Sequence, residues 1–87
     1  MFVVGARYRV LRPPQGLERQ DGGYRGRFVK GEIVIYSSYT YNSYDGFPMF
    51  FFEPREDGSE VVWIGNYSES KESMEKRQPV HFQPVEQ

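Results

Sequence analysis

The chain has no cysteine and only one histidine, His81, among its 87 residues. The absence of cysteine excludes disulfide bonds, thiolate nucleophiles and thiolate metal ligands. A metal site would have to be built from carboxylates and one imidazole, so we expect neither a metal nor a cofactor. Serines are present, but nothing in the sequence brings one beside His81 and an acid. We therefore expect a protein that is not an enzyme.

Long apolar segments are also missing. No run approaches the roughly 20 residues that a membrane-spanning helix needs. The start Met1-Phe2-Val3-Val4 is followed at once by Gly5 and two arginines, unlike the basic start and apolar stretch of a signal peptide. Lack of cysteine fits a reducing compartment. These features predict a cytoplasmic protein with no membrane contact, and the length predicts one domain over residues 1–87.

Charge is distributed unevenly although the net charge is only −1. Residues 1–31 hold seven basic and two acidic side chains, a net charge of +5, whereas residues 32–87 hold four basic and ten acidic ones, a net charge of −6. Such asymmetry is typical of an anion-binding face or of contacts between copies. A chain this short also buries a thin core. We therefore expect a homo-oligomer.

Alternating apolar and polar residues predict an antiparallel β protein. The clear predicted strands cover residues 2–12, 32–41, 47–53, 60–65 and 80–83. A further short strand over residues 24–29 is predicted to join the second of these through a bend or bulge at 30–32. Loop or turn chemistry separates them at residues 13–23, 42–46 and 54–59. A short polar helix is predicted over Ser68–Arg77, with Asn66 and Glu69 as a capping box at its start and Pro79 as its stop.

This order of elements resembles an SH3-like barrel over nearly the whole chain. The long loop after the first strand, the tight hairpin between the third and fourth strands and the helical turn before the fifth all have counterparts there. The resemblance implies an all-β fold, a small five-stranded antiparallel barrel with one short helix before the last strand. The acidic and aromatic peptide-binding signature of true SH3 domains is absent, so proline-peptide binding is not implied.

A second resemblance rests on short motifs. The motif Phe2-x-x-Gly5-x-x-Tyr8-x-Val10, the pair Gly31-Glu32 and the turn Tyr44-Asp45-Gly46 resemble a small bacterial domain family without an established activity. That resemblance implies the same β fold and adds no function.

Aromatic residues are concentrated in one segment: eight of the seventeen residues from Tyr36 to Phe52 are tyrosine or phenylalanine. Rings fill small barrels and pair across strands, and we predict Phe51, Trp63, Ile33 and Ile35 as core residues. The remaining rings exceed what the core needs. Simple alternation puts Tyr39 and Tyr41 on one strand face and Tyr36 and Tyr44 on the other. We predict an exposed binding surface formed by Tyr36, Tyr39, Tyr41, Tyr44 and Phe47.

Tyrosine is well suited to such a surface because it offers a flat apolar ring, a polar edge and little side-chain entropy to lose. Exposed ring surface usually has a partner. The first hypothesis is therefore a non-enzymatic module whose tyrosine-rich strand and turn contact another protein.

Arginine supports an alternative. Arg7 and Arg9 share a face of the first strand, and Arg25 and Arg27 share a face of the next segment. The planar guanidinium suits phosphate or carboxylate. The alternative is a protein that binds or sequesters a small nucleotide-like anion, with tyrosines stacked on the base and these arginines on the phosphates. A net charge near zero disfavours long nucleic acid as the partner.

Overall fold

The computed structural model describes residues 1–14, 28–44 and 46–85. Predictions for the rest of the loop at 13–23, for residues 24–27 with Arg25 and Arg27, and for Asp45 lie outside the described residues. The strand predicted over residues 24–29 is not formed at residues 28 and 29, which are described. The elements are β1 (Arg7–Val10), β2 (Ile33–Asn42), β3 (Phe47–Phe52), β4 (Val61–Ile64), α1 (Lys71–His81) and β5 (Phe82–Pro84).

The five strands form one sheet in the order β4-β3-β2-β1-β5, and each pair of neighbours is antiparallel. The long strand β2 pairs with β1 through its first residues and with β3 through its last. The predicted five antiparallel strands with one short helix before the last strand are confirmed. β4 and β5 are the two edge strands of the described sheet. A closed barrel would require these two strands to pair, so barrel closure stays a prediction.

A β-bulge divides β2 into two halves. Tyr36 lies opposite Phe52 and Ser38 lies opposite Phe51, so Ser37 is an extra residue in the ladder. The extra residue reverses the alternation beyond it. Tyr36 and Tyr39 therefore share the core side of the sheet, and the prediction that they lie on opposite faces is wrong.

The core is built mainly from aromatic rings. Phe2 lies at its centre, with its ring 4.9–6.1 Å from neighbouring ring centroids in mostly edge-to-face contacts. Edge-to-face pairs are favourable because the positive ring edge meets the negative face. The buried residues of the core are Phe2, Tyr8, Val10, Phe28, Val34, Tyr36, Phe50, Phe52, Val61, Trp63, Met74 and Phe82.

The start of the chain turns before it enters the sheet, so a strand beginning at residue 2 is not formed. Gly5 has φ +81°, a backbone conformation that favours glycine. The turn is closed by the Ala6 N–H, which donates to the Val3 carbonyl at 3.0 Å, and the Val3 N–H donates to the Tyr8 hydroxyl at 2.7 Å. These bonds return Phe2 to the core.

Three of the four predicted core residues lie elsewhere. Trp63 is in the core as predicted. Phe51, Ile33 and Ile35 are half-buried or exposed and lie on the opposite face of the sheet, because their neighbours Phe50, Phe52 and Val34 take the core positions. The alternation predicted for β4 is confirmed: Val61 and Trp63 face the core, and Val62 and Ile64 face away.

Helix α1 begins later and ends later than predicted. Its N-cap is Ser70, whose hydroxyl accepts the Ser73 N–H, rather than Asn66. Pro79 lies inside the helix, because losing one backbone hydrogen bond within three residues of the end does not unwind it. The helix reaches His81, so β5 is displaced to Phe82–Pro84. Within the described ranges, no helix combines the length and apolar character that crossing a membrane requires.

The turn between β3 and β4 forms as predicted at residues 54–59. The Arg55 N–H donates to the Ser59 carbonyl, and Gly58 has φ +82°. The hydrogen bonds from the Ser59 side chain and then from its backbone lower the pKa of Asp57. Arg55 reaches back to the start of β2, where its guanidinium binds the Glu32 carboxylate at 2.9 Å.

Candidate partner-binding site

The structure separates the predicted tyrosine and phenylalanine residues into buried and exposed ones. The Tyr36 side chain is only 6% exposed and packs in the core, so its ring is not part of a contact surface. Tyr39 and Phe47 are half-buried, and Tyr41 and Tyr44 are exposed.

One further ring joins the exposed group. Tyr67 lies in the loop between β4 and α1, and its ring meets that of Phe47 at 5.8 Å with an angle of 75°. Sequence reasoning missed Tyr67 because it stands alone in a polar loop, far along the chain from the aromatic segment. We define the tyrosine end as Tyr41, Tyr44, Phe47 and Tyr67; these side chains surround the tip of the β2–β3 hairpin.

Close backbone packing holds Tyr67 in place. Gly46 has φ +76°, and a Cβ atom there would lie 2.6 Å from the Tyr67 ring. Glycine therefore serves both the turn and the approach of the ring. The Ser68 N–H donates to the Gly46 carbonyl at 2.8 Å, and Ser68 itself has φ 59°, uncommon for a residue other than glycine. The hairpin tip and the loop are thereby joined.

Glu69 fixes the same loop to the helix. Its carboxylate accepts the Asn66 N–H at 2.9 Å, the Ser73 hydroxyl at 2.7 Å and the Arg77 guanidinium at 2.6 Å. Burial raises the pKa of Glu69, but these hydrogen bonds and the charge of Arg77 outweigh it, so the net shift is downward. Arg77 also lies over the Trp63 ring at 5.6 Å.

This network predicts an acid-sensitive stability. Because the folded pKa of Glu69 is below its ordinary value of 4.5, its contribution is complete above that pH and is lost as the pH falls through the folded pKa. Glu69→Gln is expected to lower the free energy of unfolding at pH 7 by about 1–3 kcal/mol. The gap between wild type and variant narrows below pH 4.5. Urea titrations at several pH values, followed by Trp63 fluorescence, measure this difference in the free energy of unfolding.

Glu72→Gln is the matched control, because it removes an exposed carboxylate only three residues further along the chain, in the first turn of α1. A gap between wild type and Glu69→Gln that stays constant down to pH 3, or an equal gap for both variants, would contradict the role assigned to Glu69.

The tyrosines nearer the core do not offer activated hydroxyls. Burial first, then the charges of Glu75 and neighbouring tyrosines, raises the pKa of Tyr36. Burial, Tyr41 and Glu75 raise the pKa of Tyr39. Both phenols therefore stay protonated at neutral pH and act as neutral hydrogen-bonding groups. The Tyr39 ring packs against Phe50 at 4.9 Å and carries the Lys71 ammonium at 5.0 Å from its centroid.

Of the four predicted arginines, Arg25 and Arg27 lie outside the described residues, and Arg7 and Arg9 lie away from the tyrosine end. Arg7 and Arg9 are exposed on β1, on the face of the sheet opposite to the core, beside Ile35 and Ile33. Tyr39 lies on the core side of the far half of β2. The structure therefore does not bring Arg7 and Arg9 together with the tyrosines.

The single histidine has a structural setting. His81 Nδ1 lies 2.7 Å from the Arg12 carbonyl oxygen, and its ring meets the edge of Trp63 at 5.5 Å. Among the described residues, no group of three or more histidine, cysteine, aspartate or glutamate side chains could hold a metal ion.

No protein family, curated protein or solved structure matches the chain. The resemblances to SH3-like barrels and to a small bacterial domain family stay predictions.

Proposed function

We propose that this protein is a non-enzymatic binding module that contacts a protein partner through its tyrosine end, in the cytoplasm. The observation that carries the proposal is the exposure of three tyrosines around one hairpin tip: Tyr41 is 45% exposed, Tyr44 98% and Tyr67 71%. Single exposed rings are ordinary, but a group of them at one site is typical of an interaction surface.

The chemistry of these rings suits protein contact. A tyrosine ring buries a large apolar area and keeps its hydroxyl available for hydrogen bonds at the edge of an interface. Tyrosine is enriched among the few residues that dominate interface energies. Phe47 adds an apolar surface at the base of the group.

Preorganisation supports the same proposal. Gly46 and Ser68 hold the loop and the hairpin together, and Glu69 ties that loop to the helix. Rings held in place before binding lose less entropy when a partner arrives. The exposed surface thus rests on a fixed support.

The nucleotide-like ligand receives less support. It needs tyrosine stacking and arginine–phosphate contacts around one small molecule, and Arg7 and Arg9 lie on the other face of the sheet from Tyr39. A protein partner needs no such convergence. We therefore keep protein binding as the proposed function.

The double variant Tyr41→Ala/Tyr44→Ala tests the proposed function. Two truncated contact residues at about 2 kcal/mol each would weaken binding roughly a thousandfold if additive, and we expect a loss of at least thirtyfold. The assay compares proteins captured by wild type and variant from the cells that produce the protein, followed by titration of the captured partner. Photo-crosslinking from position 44 identifies the contact directly.

Val80→Ala is the control, because Val80 is an exposed apolar residue on α1 outside the tyrosine end. It should leave capture unchanged. Far-UV circular dichroism checks that all variants fold. Equal capture by the wild type and the tyrosine variant would refute the proposed function.

A further inference from the structure

The face of the sheet opposite to the core is apolar over several strands. We call it the outer face. Its residues alternate with core residues along each strand, and cross-strand partners place Phe51 between Ser38 and Val62, and Met49 between Thr40 and Ile64. Its apolar members are Ile33, Ile35, Met49, Phe51, Val62 and Ile64.

The outer face is partly open to solvent. Ile33 is 41% exposed, Ile35, Met49, Phe51 and Ile64 are half-buried, and Val62 is buried at 3% exposure. Exposed apolar area in a contiguous patch is a mark of association. Phe47 of the tyrosine end lies on the same face by alternation along β3, but Ile35 lies in the other half of β2, away from the hairpin tip, so the row around Ile35 is a second candidate surface.

Charges flank the apolar band in a definite order. On one side of Ile35, Arg7 is its direct partner in β1. On the other side, Glu53 follows β3, and its N–H donates to the Ile35 carbonyl at 2.8 Å. Alternation from the buried Phe52 puts the exposed Glu53 side chain on the outer face. The row therefore reads positive, apolar, negative.

We propose that two copies of this chain stack through their outer faces around a two-fold axis that runs along β2 past Ile35. Rotation about such an axis exchanges the two sides of the row. Arg7 of each copy then faces Glu53 of the other, and Ile35 meets its equivalent on the axis. Closed two-fold contacts are self-complementary in this sense.

Charge complementarity is the reason to name a second copy as the occupant. A row with one basic end, an apolar centre and one acidic end matches its own rotated image without any further residue. Stacked sheets lie about 10 Å apart, a distance at which side chains from the two faces interdigitate.

Charge reversal tests the arrangement. We expect wild type to sediment as a dimer, and Arg7→Glu and Glu53→Arg each to weaken the dimer at least tenfold, because each places two like-charged pairs in the interface. The double variant Arg7→Glu/Glu53→Arg restores dimerisation. An equimolar mixture of the two single variants forms heterodimers, since both cross-contacts are then attractive. Sedimentation equilibrium in low salt measures all five samples.

Lys30→Glu is the control, because it makes the same charge change at an exposed residue outside β1 and β2. It should leave the dimer intact. A monomeric wild type at all accessible concentrations would overturn the proposal. So would a dimer insensitive to charge reversal, or one abolished by Tyr41→Ala/Tyr44→Ala, which would transfer the contact to the tyrosine end. Loss of partner capture without loss of dimer, or the reverse, distinguishes this proposal from the proposed function.

Discussion

Phe50→Ala is expected to lower the free energy of unfolding by about 3–5 kcal/mol, the cost of removing a fully buried ring. Phe50 has no exposed surface and packs against the rings of Phe2, Tyr39 and Trp63 at centroid distances of 4.9–5.6 Å. A domain of 87 residues has a total stability of about 4–13 kcal/mol. One truncation therefore removes a large share of it.

The neighbouring residue supplies the control. Phe51 has the same side chain as Phe50 and lies next to it in β3, but it is half-buried on the outer face. Phe51→Ala should cost well under half as much as Phe50→Ala. Urea unfolding of dilute protein, followed by Trp63 fluorescence, compares them, since association would add a concentration-dependent term. Equal losses would contradict the assignment of the two faces. Phe50→Leu gives a smaller, measurable loss if the alanine variant does not fold.

The strands and their partition into two faces follow closely from local patterns where nothing interrupts the alternation. In β4, Val61 and Trp63 face the core and Val62 and Ile64 face away, as period-two alternation predicts. The turn at residues 54–59 follows from Asp57 and Gly58, whose conformational preferences are local. Local chemistry was sufficient in these places.

The bulge in β2 could not be predicted in the same way. Ser37 is one polar residue among several, and no local signal distinguishes it as the extra one. Its effect is large, since every side chain beyond it changes face. This single residue accounts for the wrong relation between Tyr36 and Tyr39, because it brings Tyr39 to the core side, where Tyr36 already lies in phase with the buried Val34.

The three phenylalanines show why composition alone was insufficient for the core. Phe50, Phe51 and Phe52 are chemically identical, and alternation requires only that the middle one oppose its neighbours. Which set faces inward depends on the tertiary partners Phe2 and Trp63, which lie far from them in the sequence. Phe51 was therefore predicted for the core and lies on the outer face.

The candidate site was predictable only in part. The exposed Tyr41 and Tyr44 belong to the segment that composition singled out. Tyr67 joins them through packing against Gly46, a contact between residues 21 positions apart that no local pattern indicates. The extent of α1 depends in the same way on burial of Met74 in the core, which stabilises the helix beyond what its polar sequence suggests.

Gly65→Ala is the second large expected effect, and it concerns the place where strand, loop and helix meet. Gly65 is buried at the end of β4, and its N–H donates to the Pro48 carbonyl at 2.9 Å. A Cβ atom would lie 2.6 Å from Met74 Sδ, 2.8 Å from Pro48 Cγ and 3.0 Å from Glu69 Oε1. Overpacking of this kind costs about 1–3 kcal/mol.

The pair Gly65→Ala and Met74→Ala shows whether overpacking is the cause. Met74→Ala alone should cost about 2–5 kcal/mol because it leaves a cavity in the core. In the double variant the new methyl group occupies part of that cavity, so the combined loss is smaller than the sum by about 0.5–3 kcal/mol. A thermodynamic cycle from urea unfolding of the four proteins measures this coupling. Additive losses would mean that the methyl group at residue 65 and the Met74 side chain do not compete for space, and that the helix does not pack against Gly65 as closely as the geometry requires.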